Sequence, residues 1–384
     1  MEANPRGRKG NLRTIPLGRV LGIPIGVHYS WFTILVLLTW ALAVGYYPAE
    51  LQGWHPVTIW IMSALTAILL FVAVLLHELG HAVVALQYQV PVRGITLFIF
   101  GGVAQIDEEP PSPVAEFWIA IAGPLVSLAL AAVLVLLQAA LSGFAPLLAL
   151  TRYLAYVNGT LALFNLIPGF PLDGGRVFRA VVWAITRNLR RATLLAANLG
   201  RGVSLLLILL GTWQVIVGNI STGLWIALIG WFLETAARAE VRRQETQGSL
   251  AGHRASEAMT NDHAAISPGT TLQQLVDRRI LTTGQRNFMI KGDDHAVGLL
   301  TLHQIQEVPR SEWPTTPVVR IMLPAAQVKS VEPDSELWTV LQEMDRSGVT
   351  QLPVVANGQI LGMLSREGIM RFLRTLREKS YCSE

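Results

Sequence analysis

Apolar runs that approach or reach the length of a membrane-spanning helix constrain this chain more than any other feature. About 20 apolar residues in a helix cross the hydrocarbon core of a bilayer. Six candidate spans lie before residue 236, at residues 29–47, 57–86, 117–141, 153–168, 203–217 and 222–233. The last two are short, so they are either two full helices or one re-entrant hairpin. We predict a polytopic α-helical membrane domain of about six spans, followed by a soluble α/β domain.

Basic residues are distributed unevenly between the two sides that these spans create. The N-terminal segment and alternate connections up to residue 243 carry fifteen Lys and Arg residues, whereas the opposite connections carry only Arg152. Because Lys and Arg accumulate in cytoplasmic loops, six crossings with both termini in the cytoplasm satisfy the pattern. We therefore predict a multi-pass protein of the cell (plasma) membrane, with its C-terminal domain in the cytoplasm.

The part of the chain after the spans contains a weak internal repeat. Met259 corresponds to Met322, and Gly298 corresponds to Gly362, at an offset of 63 to 64 residues. In each copy a segment of helical period precedes two strand-like runs, and the last two runs predict a β-hairpin. The predicted domains are a basic cytoplasmic N-terminal segment (1–27), a six-span membrane domain (28–235), a linker (236–255), paired repeats (256–376, with copies at 256–308 and 318–376) and a tail (377–384).

Composition excludes several other classes of protein. Charged residues make up 15% of the chain, against about 25% in an average soluble domain. The formal net charge is +4, but the basic residues flank apolar runs, which favours a role in membrane orientation and no nucleic-acid partner. The single cysteine, Cys382, excludes a disulfide within the chain and a multi-cysteine metal site.

The second span ends in HELGH at residues 77–81, which is the pattern H-E-x-x-H. Residues four apart lie on one face of a helix, so His77 and His81 can direct ring nitrogens at one cation, with Glu78 beside them. Zinc bound there would lower the pKa of a coordinated water to about 7, and Glu78 would act as the general base. Ionisable groups inside a membrane span are functional by default.

A catalytic zinc site needs a third protein ligand, and Asp173 is the candidate. It follows the fourth span within NLIPGFPLDGGR at residues 165–176, where prolines and glycines break the helix. The fourth span runs in the same direction as the second, so Asp173 and the two histidines can lie at similar depth. Asp173 could instead cap a helix or pair with Arg176, and the metal could be structural.

HELGH in a second span together with NLIPGFPLDGGR after a fourth resembles the site-2 protease family of intramembrane zinc metalloproteases. GIPIGVHYSW (22–31), FGGVA (100–104) and AGP (122–124) also resemble segments of that family. The C-terminal repeats resemble the paired CBS domains found in one branch of it. The resemblance implies that His77, His81 and Asp173 bind one Zn2+ per chain and that Glu78 is the catalytic base.

The resemblance also implies substrates that are transmembrane or membrane-adjacent segments of other membrane proteins. Asn165 matches a family position that contacts substrate or steadies the tetrahedral intermediate; its alternative role is a hydrogen bond between helices. The stretch 94–102 is rich in strand formers and includes Gly101 and Gly102. We hypothesise that it enters the membrane and pairs with an unwound substrate, because an edge strand can present cleavable backbone. The alternative is a buried loop that packs against the spans.

The CBS resemblance implies adenine-nucleotide contacts at Thr301 and Ser365. The family's ribose-binding aspartate three residues later is replaced here by Gln304 and Gly368. Nucleotide binding, a structural tail and homodimerisation through the tail therefore all remain open.

The function that these observations favour is an intramembrane zinc endopeptidase embedded in the lipid bilayer, regulated by its CBS tail. The alternative is a membrane transporter or channel with a CBS regulatory tail, because intramembrane histidines and carboxylates also line ion paths. Against it, the two halves show no evident inverted repeat. A membrane-anchored soluble metalloprotease is disfavoured because HELGH lies inside an apolar span.

Overall fold

The computed structural model describes residues 14–99, 101–106, 109–141, 143–260, 265–280, 287–291, 296–324, 329–356 and 359–381. These residues form two compact units that divide between Gln244 and Glu245. The N-terminal unit holds the apolar helices, and the C-terminal unit holds the repeats.

Six helices among the described residues are long and apolar enough to cross a membrane. The first consists of α1 (Ser30–Ala41), a π-helical turn (Leu42–Tyr46) and α2 (Tyr47–Glu50). The other five are α3 (Pro56–Gln87), α4 (Pro113–Ala140), α5 (Ala145–Asn165), α7 (Leu189–Ile216) and α8 (Ile220–Leu250), and the shorter α6 (Asp173–Thr186) lies between α5 and α7. The prediction of about six spans is confirmed, and the last two spans are full helices of 28 and 31 residues.

Local sequence explains where these helices begin. Helices α3 and α4 have proline in their first turn, where the missing N–H has no helical partner to lose. The Ser112 hydroxyl accepts a hydrogen bond from the Ala115 N–H at 3.2 Å, and the Asn188 side chain accepts one from the Arg191 N–H at 2.9 Å. Each bond satisfies a free donor at a helix N-terminus.

A four-stranded sheet accompanies the helices in the order β1 (Thr14–Val20), β2 (Ile23–His28), β3 (Val92–Phe98) and β4 (Gly101–Ile106). Strands β1 and β2 are antiparallel, β2 and β3 are parallel, and β3 and β4 are antiparallel. The stretch predicted to be rich in strand formers therefore forms β3 and the start of β4. Within the described part of the chain β4 ends the sheet, so no described strand pairs with its outer edge.

Helix α3 packs closely against α4 because glycine leaves room between them. A Cβ on Gly80 would lie 2.9 Å from Val126 Cγ2 and 3.1 Å from the Ala122 carbonyl oxygen. Small residues allow such close approach of membrane helices. After α5, the chain folds back on itself: a Cβ on Gly174 would lie 2.3 Å from the Leu166 carbonyl oxygen. This tight return places Asp173 at the start of α6.

The C-terminal unit contains two halves, each with its own sheet and core. Helix α9 (Ala255–Ala258) packs in the core of the second half. The first half has β5 (Ala265–Ile266), α10 (Leu272–Leu275), β6 (Asn287–Lys291), β7 (Ala296–Thr301), α11 (Leu302–Gln306) and β8 (Leu323–Pro324). The second has α12 (Leu337–Ser347), β9 (Gln351–Ala356), β10 (Gln359–Ser365) and α13 (Arg366–Tyr381). Strands β9 and β10 pair antiparallel, which confirms the predicted hairpin.

The glycine and methionine positions of the repeat contact each other between the two copies. A Cβ on Gly298 would lie 2.8 Å from Met322 Sδ, and a Cβ on Gly362 would lie 2.9 Å from Met259 Sδ. The glycine of each copy therefore packs against the methionine of the other. This reciprocal contact explains why both copies have a methionine and a glycine at corresponding positions.

The predicted domain boundaries stay predictions. Residues 14–27 of the proposed N-terminal segment lie in β1, β2 and the turn between them, and α8 continues through residues 236–250 of the proposed linker. The first thirteen residues and the last three lie outside the described part of the chain.

Candidate metal centre

Helix α3 places the HELGH motif inside the N-terminal unit. His77 and His81 are 4% and 3% exposed, and their Nε2 atoms lie 3.3 Å apart because the residues are four positions apart on one helix. Two imidazoles buried in an apolar helix and directed at the same point need a partner to compensate for their lost hydration.

Asp173, the first residue of α6, supplies that partner. Its Oδ2 lies 3.1 Å from His77 Nε2 and 3.3 Å from His81 Nε2. The structure thus brings together the three residues predicted as ligands, although Asp173 lies 96 positions after His77 in the sequence. Their ligand atoms form a compact group that could hold a metal ion.

Helix α4 orients both imidazoles through their other ring nitrogens. His81 Nδ1 donates to the Ile119 carbonyl oxygen at 2.6 Å, and since a carbonyl only accepts, Nδ1 carries the proton. In the neutral ring Nε2 then presents a lone pair towards Asp173. His77 Nδ1 makes the corresponding contact with Ser127 Oγ at 2.9 Å. Such outer partners fix the tautomer of metal-binding histidines.

The three ligand atoms fit a zinc ion. Separations of 3.1 to 3.3 Å between them leave a point about 2 Å from each, which is the usual zinc distance to histidine nitrogen and carboxylate oxygen. Gly123 of α4 borders this point, since a Cβ there would lie 2.2 Å from His81 Nε2 and 2.6 Å from His77 Nε2. Only a residue without a side chain leaves the cradle open.

Glu78 lies next to these ligands without belonging to their group. Its Oε2 accepts a hydrogen bond from the Ala104 N–H of β4 at 3.0 Å. A Cβ on Gly102 would lie 2.6 Å from Glu78 Cγ, so the strand and the carboxylate side chain are in close contact. The β3–β4 hairpin therefore holds the carboxylate that the sequence marks as a base.

Asn165 and Gly101, the remaining membrane-domain candidates, lie at the end of α5 and the start of β4. Asn165 Nδ2 is 3.4 Å from His77 Nε2, so its amide lies beside the ligands. Gly101 has a φ of +129° with nothing within 4 Å of an added Cβ, a conformation that favours glycine.

The structure describes the two candidate nucleotide-contact residues of the C-terminal domain only in part. Ser365 ends β10, and its hydroxyl accepts the Gly368 N–H at 2.9 Å, so it caps the start of α13. Thr301 ends β7, and its side chain lies outside the described part of the structure.

Several residues that contribute to the centre are not among those predicted from the sequence. The Ile119 carbonyl and the Ala104 N–H are backbone groups that any residue would supply. Gly123 could have been found as the glycine of AGP, and Glu116 as a carboxylate at the start of the apolar α4. Glu116 makes a buried ion pair with Arg179 of α6.

A multi-pass helical membrane protein with two histidines and a glutamate on one helix and an aspartate from another belongs to the class of membrane metallopeptidases. The sequence matches Peptidase family M50 over residues 65–151 and 142–209, and the CBS domain over residues 312–375.

Relatives match over nearly the whole chain. Rip3 of Mycobacterium tuberculosis is 37% identical across 94% of this chain and 93% of its own. The protein sll0528 of Synechocystis is 35% identical across 94% of this chain and 96% of its own. The names of both relatives describe a zinc metalloprotease. The solved site-2 protease from Methanocaldococcus jannaschii is 33% identical, covering 60% of this chain and 95% of that one, with a TM-score of 0.41.

The chain therefore belongs to Peptidase family M50, the site-2 proteases, and carries a C-terminal CBS domain. The predicted family is confirmed.

Proposed function

We propose that this protein is an intramembrane zinc endopeptidase that hydrolyses peptide bonds in transmembrane or membrane-adjacent segments of other proteins. The observation that carries the proposal is the meeting of His77 Nε2, His81 Nε2 and Asp173 Oδ2 within 3.3 Å of one another. These atoms lie between helices long enough to cross a membrane. The three residues would hold one zinc ion per chain.

The ion, when bound, supplies a Lewis acid that polarises the scissile carbonyl and acidifies water. Glu78 accepts a proton from the water that attacks the carbonyl carbon. As the C–N bond breaks, the same carboxyl returns the proton to the leaving nitrogen. The Ala104 N–H holds Glu78 at 3.0 Å and so limits where this proton can be taken and released.

The free edge of β4 is the proposed receiving surface for substrate. A helix encloses its own backbone hydrogen bonds, so a spanning substrate must unwind before a peptide bond can be cut. The Ala104 N–H points at Glu78, so the edge of β4 passes directly beside the base. Gly101 leaves open space in which another backbone can approach, whereas Gly102 packs against Glu78 and brings the strand close to the base. Addition of a strand supplies main-chain hydrogen bonds.

Asn165 is proposed to donate a hydrogen bond to the scissile carbonyl oxygen as it becomes negatively charged. Its amide lies 3.4 Å from His77 Nε2, which is close enough to share a substrate group with the metal ligands. Such a donor stabilises developing charge in a site from which water is excluded.

The decisive experiment tests the variant Glu78→Gln. We expect the variant to keep bound zinc, because Glu78 is not in the ligand group, and to lose peptide cleavage by at least about 100-fold, because the base is gone. Zinc is measured by metal analysis of purified protein, and substrates are sought as membrane proteins that accumulate uncut. Cleavage by Glu78→Gln at the wild-type rate would contradict the proposal, and a transporter would retain flux in this variant.

The tail and the orientation are also proposals. We propose that the protein lies in the plasma membrane with both termini and the CBS tail in the cytoplasm, which the distribution of Lys and Arg supports. The tail would regulate cleavage, bind adenine nucleotide near Thr301 and Ser365, and join two chains. Titration calorimetry of the full-length protein with ATP, ADP and AMP tests the nucleotide; a flat titration for all three rejects it.

A further inference from the structure

A buried ion pair links α4 to α6 beside the metal centre. Arg179 Nε donates to Glu116 Oε1 at 2.6 Å, and Nη2 of the same guanidinium also contacts Oε1. Glu116 is fully buried and Arg179 is 6% exposed. The guanidinium also lies over the Phe170 ring, 5.2 Å from its centroid. Neither charge retains appreciable contact with solvent.

One partner belongs to α6, which carries the ligand Asp173. The other belongs to α4, which contacts the second ring nitrogen of both histidines. Glu116 lies one turn before Ile119, whose carbonyl orients His81. Arg179 lies less than two turns after Asp173, which starts the same helix. A shift of α6 along α4 would therefore move the Asp173 carboxylate relative to both imidazoles.

Stability alone does not explain why this pair is present. Removing two charges from water is expensive, and replacing a buried ion pair with apolar residues is often neutral or stabilising. Moreover, Glu116 Oε2 has no hydrogen-bond partner among the residues that the structure describes, so one oxygen of the carboxylate is not compensated by a hydrogen bond there. Two guanidinium nitrogens bonded to one carboxylate oxygen add a directional constraint that dispersion contacts lack.

We propose that the Glu116–Arg179 pair is a positioning device that holds Asp173 at metal-binding distance from His77 and His81. Glu116 and Arg179 are thus positioning residues, which act through Asp173. The inference rests on the proposed zinc function, although its test reads metal binding rather than cleavage.

The test compares three variants of the full-length protein: Glu116→Gln, Arg179→Met and the double variant with both changes. Zinc affinity is measured by competition with a chelator, ligand geometry by the visible spectrum after Co2+ substitution, and folding by thermal unfolding. Each single variant leaves one buried charge unpaired and should be less stable. In the double variant neither member of the pair is left as a buried, unpaired charge, so most of the lost stability should return.

Zinc affinity in the double variant separates positioning from stabilisation. We expect it to remain about 10- to 100-fold below wild type, as when outer partners of a metal site are removed, with an altered Co2+ spectrum. Wild-type affinity and spectrum in a stable double variant would overturn the inference while leaving the proposed function intact.

Two further proteins complete the design. Glu116→Asp keeps both charges but shortens one arm; it should also weaken zinc binding, and wild-type affinity in it would count against positioning. Glu50→Gln is the matched control, because Glu50 pairs with Arg152 at 3.6 Å on helices that carry no proposed ligand; its zinc affinity should be unchanged. Wild-type protein without bound zinc would instead reject the proposed function, and the inference with it.

Discussion

At the scale of single residues, Gly123 has the sharpest consequence. Its Cα lies beside the ligand nitrogens, and a Cβ would lie 2.2 Å from His81 Nε2. We predict that Gly123→Ala displaces that imidazole and lowers zinc affinity by at least about 100-fold, which metal analysis of the purified variant will measure.

Gly159→Ala is the matched control for this prediction. Gly159 lies in α5, and nothing lies within 4 Å of an added Cβ, so the same chemical change should leave zinc content unaltered. Full zinc occupancy in Gly123→Ala would show that α4 does not border the metal as closely as the structure has it.

Side-chain chemistry determined how much of the candidate site could be predicted. His77, Glu78, His81 and Asp173 are identifiable from the sequence because their functional groups are encoded in residue type and spacing. Their outer contacts are not, because the Ile119 carbonyl and the Ala104 N–H depend on how the chain folds and not on which residue supplies them.

At the scale of elements, the β3–β4 hairpin makes the proposed substrate surface testable. Ile99 lies in the turn between the two strands. We predict that Ile99→Pro distorts this turn, displaces β4 and lowers cleavage by about 10-fold or more, while zinc content stays at the wild-type level. The measurements are a cleavage assay and metal analysis of the same preparation.

Ile99→Ala is the control, since it shortens the side chain but leaves the backbone N–H and φ unrestricted. It should cleave at nearly the wild-type rate. If Ile99→Pro also cleaves normally, the strand-pairing hypothesis is wrong, although the zinc site could stand.

Elements were predictable where the pattern was long and local. The apolar runs predict all six membrane helices. They end the last span at residue 233, whereas α8 continues through polar residues to Leu250. Strands β1 and β2 were missed, although Ile23, Ile25 and Val27 alternate as a half-buried strand does. Strand β2 pairs with β3 and joins Ile25 to Ile95, a contact that no local pattern encodes.

At the scale of the whole molecule, the native cysteine reports orientation. The chain has one cysteine, Cys382, and the positive-inside pattern predicts that it lies in the cytoplasm. A membrane-impermeant maleimide should therefore leave Cys382 unlabelled in intact cells and label it after permeabilisation. Labelling in intact cells would reverse or refute the predicted topology.

The control moves the thiol to the opposite side. In a Cys382→Ser background, Gln52→Cys introduces an exposed thiol between α2 and α3, in a connection predicted to be extracytoplasmic. This variant should be labelled in intact cells, which establishes that the reagent reaches the protein.

The bond from the Ala104 N–H to Glu78 ties together two events that could have been separate. The strand proposed to bind substrate also holds the proposed proton acceptor. Displacement of the β3–β4 hairpin would therefore leave a zinc site without a positioned base. Substrate binding and positioning of the proposed base would then be coupled in one movement, which would protect other membrane proteins from cleavage.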